Sequence, residues 1–154
     1  MLKQKDLTPY QQDVYKAKIC PYCKSGTKTV TEEFIYKKKY SDKSVICCIN
    51  YPSCDSYVGT HSDGLPLGRL SKHPLRIAKK KTHEIIDRIW KLKFMDRKDL
   101  YKELSDFLQL ELKLTHLGFM NLNTLDKVQR WALLKYIHYS ENEKKTTQGF
   151  KFKI

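Results

Sequence analysis

Cys20-Pro21-Tyr22-Cys23 and Cys48-Ile49-Asn50-Tyr51-Pro52-Ser53-Cys54 place two cysteine pairs within 35 residues, with a fifth cysteine, Cys47, beside the second pair. Each pair spans a tight turn. Two such turns joined by a β-hairpin surround one ion with a closed tetrahedron of soft ligands, the arrangement zinc prefers at structural sites. The predicted ligands are Cys20, Cys23, Cys48 and Cys54, with Pro52 helping to fix the second turn. Neighbours on a strand point to opposite faces, so Cys47 and Cys48 do not serve together and Cys47 is the spare. Cys47 in place of Cys48, or His61 just beyond the second pair, are the alternatives. No βαβ unit surrounds Cys20 and Cys23, which argues against a thioredoxin-like redox role. Four thiolates leave no open coordination position, so Zn2+ is expected to hold a small module folded rather than to catalyse.

Outward from the cysteines, Thr29-Val30-Thr31, Phe34-Ile35-Tyr36 and Val45-Ile46 read as strands, interrupted at Ser25-Gly26 and Tyr40-Ser41-Asp42. Upstream, Thr8-Pro9-Tyr10-Gln11 predicts a helix start, with Thr as N-cap and Gln reaching back to it. Downstream, 59–68 is a loop, and Pro74 opens a long helix to about Lys93. Leu75, Ala78, Thr82, Ile85, Ile86, Ile89 and Lys93 form its apolar stripe. Asp96 is the predicted N-cap of a further helix carrying Leu100, Leu104, Phe107 and Leu108. Asn123 caps a last one with Leu125, Val128, Ala132 and Tyr136. After Ser140 the periodicity ends, which predicts a flexible tail in which Phe150 and Phe152 are the residues able to dock. The expected fold is α+β: an N-terminal helical segment (1–19), a four-cysteine zinc ribbon (20–61) packed on an α-helical bundle (62–139), and the tail (140–154).

The chain has 154 residues, 40% hydrophobic and 31% charged, too apolar for a disordered chain and too polar for a membrane protein. One compact unit or two very small ones is expected. No stretch approaches the roughly 20 apolar residues of a span. Met1-Leu2-Lys3-Gln4-Lys5-Asp6 is not followed by the apolar core of a signal peptide, so a cytoplasmic protein is predicted. Thirty Lys and Arg against seventeen Asp and Glu leave a formal charge of +13, a field that attracts polyanions, with the excess steepest over 61–100.

Basic residues interleave with aromatics at Tyr36-Lys37-Lys38-Lys39-Tyr40, a pattern in which rings stack on unpaired bases while lysines follow the backbone. Arg76, Lys79 and Lys80, at the start of the long helix, are candidate phosphate contacts, and Tyr51 and Tyr57 can add to the same surface. Arg76, Lys80, His83, Asp87 and Trp90 recur at spacings of 4, 3, 4 and 3, along one side of that helix. His83 and Asp87 are placed to hydrogen-bond each other, either to lock the ribbon or loop onto the helix or to orient an imidazole for general-base work. No catalytic set is assigned: a nucleophile elbow, a Walker loop and paired carboxylates are all missing beside them. His61, His73, His83 and His116 with Asp63 or Asp87 could supply a second metal site, but at no defined spacing.

Cys48-Ile49-Asn50-Tyr51-Pro52-Ser53-Cys54 resembles the second half of the four-cysteine zinc ribbons at the C-terminus of type IA DNA topoisomerases, which bind single-stranded DNA. A longer resemblance, over about residues 20–120, is to a phage and prophage family described only as zinc-finger-containing. It rests on Cys20-Pro21-Tyr22-Cys23, on Cys54-Asp55-Ser56-Tyr57-Val58-Gly59-Thr60-His61, on Pro66-Leu67-Gly68-Arg69-Leu70, and on Leu75-Arg76 through His83, Asp87 and Trp90. Arg97, Tyr101, His116 and Gly118 continue it. Ser56, Lys79 and Thr82 depart from that family's usual Ala, Arg and Ala; Lys for Arg weakens any bidentate phosphate contact there. The resemblance implies zinc binding and a phage context, and it supplies no reaction.

The expectation is therefore a zinc-binding, non-enzymatic nucleic-acid-binding protein, single-stranded DNA favoured, in the host cytoplasm if phage encoded. The alternatives are a factor that binds and modulates a host enzyme or defence complex, and a metal-dependent nuclease built on His83 and Asp87.

Overall fold

The computed structural model describes residues 1–151, with side chains through residue 145; Phe150 and Phe152 lie outside the described side chains. The order is α1 (Pro9–Tyr15), β1 (Thr27–Thr31), α2 (Glu32–Tyr36), β2 (Ser44–Cys48), β3 (Tyr57–Gly59), α3 (His73–Lys91), α4 (Arg97–Leu108) and α5 (Leu122–Lys151). The protein is α+β, a three-stranded antiparallel sheet in the order β1-β2-β3 beside the helices.

Helix α1 begins as its sequence dictates. Thr8 Oγ1 accepts from Gln11 N–H at 3.1 Å and Gln11 Oε1 accepts from Thr8 N–H at 2.9 Å, satisfying two donors that a helix start otherwise leaves open. Thr8→Ala should therefore lower stability by about 1 kcal/mol, read as a fall in Tm of about 2–4 °C; an unchanged Tm would show that this end frays in the native state.

The segment 34–36 is not a strand. Thr31 caps a helical turn by accepting from Phe34 N–H at 3.3 Å, Glu32 and Glu33 sit at its positive end, and Lys37 closes it at φ 61°. Ile35 is its one buried side chain, so little packing opposes these local signals. Helix α5 runs unbroken from Leu122 to Lys151, the last described residue, through most of the segment expected as a tail. Glu141 and Lys145 stand four apart in the order that supports a helix, and Asn142 Nδ2 lies 3.2 Å from His138 Nε2. At its start, the cap is Asn121, whose Oδ1 accepts from Thr124 N–H at 2.9 Å, rather than Asn123.

Two faces of one sheet carry different cores. Strand alternation sends Ile46 and Cys48 to one side, with Ala17, Cys20, Cys54, Val58 and Leu70, and Val45 and Cys47 to the other, with Ile35. The third core unites Leu75, Ile86 and Ile89 of α3, Leu100 and Leu104 of α4, and Leu125, Val128 and Ala132 of α5. The connection 60–72 ties the first module to the bundle. Tyr57 and Ser71 exchange backbone bonds at 3.2 and 3.0 Å, and Arg69 N–H donates to the Gly118 carbonyl at 3.0 Å. Among the described residues, no helix is long and apolar enough to cross a membrane.

Candidate metal centre and its neighbouring surface

Cys20 and Cys23 sit in the turn between α1 and β1, closed by Lys24 N–H to the Cys20 carbonyl at 2.9 Å and by Lys24 in the left-handed region at φ 64°. Cys48 ends β2, and the chain returns through two backbone bonds, Tyr51 N–H to the Cys48 carbonyl at 2.9 Å and Cys54 N–H to the Asn50 carbonyl at 3.0 Å. The four sulfurs converge, all within 4.8 Å of one another, with Cys20 and Cys54 at 3.6 Å and Cys23 and Cys48 at 3.3 Å. A tetrahedral ion with metal–sulfur bonds of about 2.3 Å needs sulfur–sulfur edges of about 3.8 Å, so the donor set fits a tetrahedral metal.

The surroundings suit thiolates. Asn50 N–H points at Cys48 Sγ at 3.4 Å and Ser56 Oγ lies 3.2 Å from Cys20 Sγ. Hydrogen bonds from the Ser25 side chain and backbone hold Cys23 down to about 6, whereas burial pushes Cys48 up to about 12 and raises Cys54 as well. A metal ion reverses that burial penalty by taking the sulfurs as anions, with release of their protons. Cys47 points away into the opposite core, where burial raises its thiol. Among the described residues, these four cysteines are the group of three or more His, Cys, Asp or Glu close enough to share an ion; His61, His73, His83, His116, Asp63 and Asp87 do not assemble a second.

On the far face of the sheet the aromatics form a connected row. Ring centroids lie 5.8 Å apart for Phe34 and Tyr51, 6.1 Å for Tyr51 and Tyr57, 5.8 Å for Tyr57 and Tyr36, and 6.0 Å for Tyr36 and Tyr40. Phe34, Tyr36 and Tyr40 are exposed, Tyr40 by 69%. Cations sit over three of the rings: Lys28 on Phe34 at 5.1 Å, Lys38 on Tyr40 at 5.5 Å and Arg76 on Tyr57 at 4.1 Å. Phe34 and Lys28 escaped the sequence reading, which stopped at the run Tyr36–Tyr40; Lys28 on β1 meets Phe34 only through tertiary packing.

The predicted basic residues are engaged in different ways. Lys37 lies against the Phe34 carbonyl, its Nζ donating at 3.4 Å, and Lys39 pairs with Asp42 at 3.0 Å. Arg76 is bound to Asp55 at 3.1 Å, and Lys80 is exposed on α3. Lys79 is half-buried and donates to the Arg69 carbonyl at 3.0 Å; burial, with the Arg69 charge adding to it, pulls its ammonium down to about 7. The expected His83–Asp87 bond is replaced: Asp87 accepts from the Trp90 indole at 3.0 Å and faces Lys91 at 4.0 Å. The indole one turn on reaches the carboxylate as an N–H donor. Burial lowers His83, with Asp87 opposing. Between the sheet and α3 lies a cleft of about 250 Å³ walled by Tyr36, Tyr57, Arg76, Lys79 and His83.

A family model described as a zinc-finger-containing domain matches residues 16–134. Among curated proteins and among solved structures, no significant match is found.

Proposed function

Because the chain belongs to this zinc-finger-containing family, we propose that Cys20, Cys23, Cys48 and Cys54 hold a structural zinc ion and that the opposite face of the same sheet binds single-stranded nucleic acid. The ion would cross-link the two turns, and with four thiolates around it no coordination position is open to a substrate. One observation carries the nucleic-acid reading: the exposed aromatic row from Phe34 to Tyr40 with Lys28, Lys38 and Arg76 over its rings. Aromatic faces accept any unpaired base, and flanking cations follow the phosphates without reading sequence. The net charge of +13 strengthens attraction at a distance.

Titration of labelled single-stranded DNA, single-stranded RNA and duplex against salt tests this. Single strands should bind more tightly than duplex, with affinity falling as salt rises. Tyr40→Ala should weaken single-strand binding about tenfold, the loss of one stacked base at about 1–3 kcal/mol. Binding indifferent to salt, or unchanged in Tyr36→Ala and Tyr40→Ala, overturns the reading.

A further inference from the structure

Lys79, in the wall of the cleft between the sheet and α3, and Arg69 behind it are two basic side chains with no carboxylate partner among the described residues. Lys79 makes one hydrogen bond, to the Arg69 carbonyl at 3.0 Å, and an ammonium has three donors. The Arg69 guanidinium behind it is close enough to repel that ammonium, and Arg69 Nε is buried with no hydrogen-bond partner. Nearby carboxylates are committed elsewhere, Asp55 to Arg76 and Asp87 to Trp90 and Lys91. Desolvated like charges are costly unless a counter-charge joins them. The pair is also held in place by the backbone: Arg69 N–H is bound to Gly118, and Gly68 packs directly on Gly118. His83, one turn along α3 from Lys79, lines the same cleft.

We propose that this cleft binds a phosphomonoester dianion, in a nucleic acid the phosphorylated end of a strand, between the Lys79 ammonium and the His83 imidazole. A volume of about 250 Å³ falls below the range of about 300–1,000 Å³ typical of sites that enclose a whole ligand, so it admits a terminal group. Lys79 in the wall and Arg69 behind it, neither paired with a carboxylate, favour a dianion over the single charge of an internal phosphodiester. Tyr36 and Tyr57 belong both to the aromatic row and to the cleft wall, so a strand stacked on the row delivers its end here. The identification of the phosphate's carrier as nucleic acid rests on the proposed function; the phosphate site itself does not.

The test uses the full, metal-loaded chain. Inorganic phosphate, against chloride at equal ionic strength, is titrated while Tm is followed, for the wild type, Lys79→Met and Lys79→Arg. Oligothymidylates of one length, with phosphate or hydroxyl at the 5′ or 3′ end, are compared by affinity. Phosphate should raise Tm in the wild type and in Lys79→Arg but not in Lys79→Met. A strand phosphorylated at one of its ends should bind about tenfold more tightly, a preference lost in Lys79→Met. Without ligand, Lys79→Met should melt higher than the wild type, because it removes a desolvated charge; a lysine present only for packing would melt lower and leave the phosphate response intact. An equal phosphate response in the wild type and Lys79→Met, or equal affinity for phosphorylated and hydroxyl ends, overturns the proposal. Lys79-dependent stabilisation by phosphate with no oligonucleotide binding upholds the cleft and overturns the single-strand reading. Salt-sensitive strand binding blind to the end group does the reverse.

Discussion

Cys54→Ser should abolish stoichiometric metal binding and unfold the sheet module while the α3–α5 bundle keeps its helices. Cys54 closes a sulfur cluster whose members lie within 4.8 Å of one another, and removing one thiolate leaves three soft ligands and a hydroxyl that zinc binds poorly. The module has little else to hold it. Its core on the metal side is Ala17, Ile46, Val58 and Leu70 around the cysteines themselves, whereas a structural zinc contributes on the order of 10 kcal/mol to folding. Metal content by mass spectrometry under native conditions, with amide protection of β1–β3, reads the result. Cys47→Ser is the control: its thiol faces the opposite core, so metal content should stay as in the wild type, with a stability loss of about 1–3 kcal/mol for a buried hydroxyl. The reverse pattern would make Cys47 the ligand. The same centre should lose its metal as pH falls, because burial sets Cys48 and Cys54 above the usual thiol range and protons compete with the ion for those sulfurs.

Gly68→Ala should be the most damaging Gly→Ala substitution among the described glycines. A Cβ there would stand 2.2 Å from the Gly118 carbonyl oxygen and 2.4 Å from its carbon, and a Cβ on Gly118 would stand 2.3 Å from the Leu67 oxygen. Both obstacles are backbone, so no side chain can rotate aside, and the two segments must part. Overpacking of this kind costs about 3 kcal/mol, a fall in Tm of roughly 6–12 °C in a chain of this length. The Arg69 N–H to Gly118 bond goes with it, so the phosphate response of the cleft should disappear too. Gly26→Ala is the comparison: nothing lies within 4 Å of a Cβ there, and the expected change is within about 0.5 kcal/mol. Equal effects of the two substitutions would show that the module and the bundle do not depend on this contact.

The parts of the fold legible in the sequence are those set by short-range chemistry. The turn that points two sulfurs inward needs only Cys20-Pro21-Tyr22-Cys23. The capping box needs only Thr8 and Gln11, and the α3 stripe repeats within one helix, with Leu75, Thr82, Ile86 and Ile89 buried. That Cys47 and Cys48 do not serve together follows from the period of a strand, once β2 is known to be one. Where reading failed, two local signals competed: Phe34-Ile35-Tyr36 has the composition of a strand, yet Thr31 and the two glutamates after it start a helix. Beyond Ser140, apolar periodicity fades while backbone hydrogen bonding continues from a helix already nucleated, and elongation needs far less than initiation.

By itself, then, the sequence determined the metal-ligating turns, the α+β division and the excess of positive charge, because each follows from residue type and spacing along one element. Only the tertiary structure decided what the polar side chains do. Lys79 and Lys80 are adjacent, yet one is half-buried against Arg69 and the other is exposed. Asp87 serves Trp90 rather than His83. The aromatic row and the cleft exist because α2 packs on the sheet face opposite the cysteines and side chains of α3 line a cleft with Tyr36 and Tyr57 on that face. Burial, charge proximity and cavity shape depend on distances between elements, and in this chain the close fit of Gly68 on Gly118 helps to set those distances.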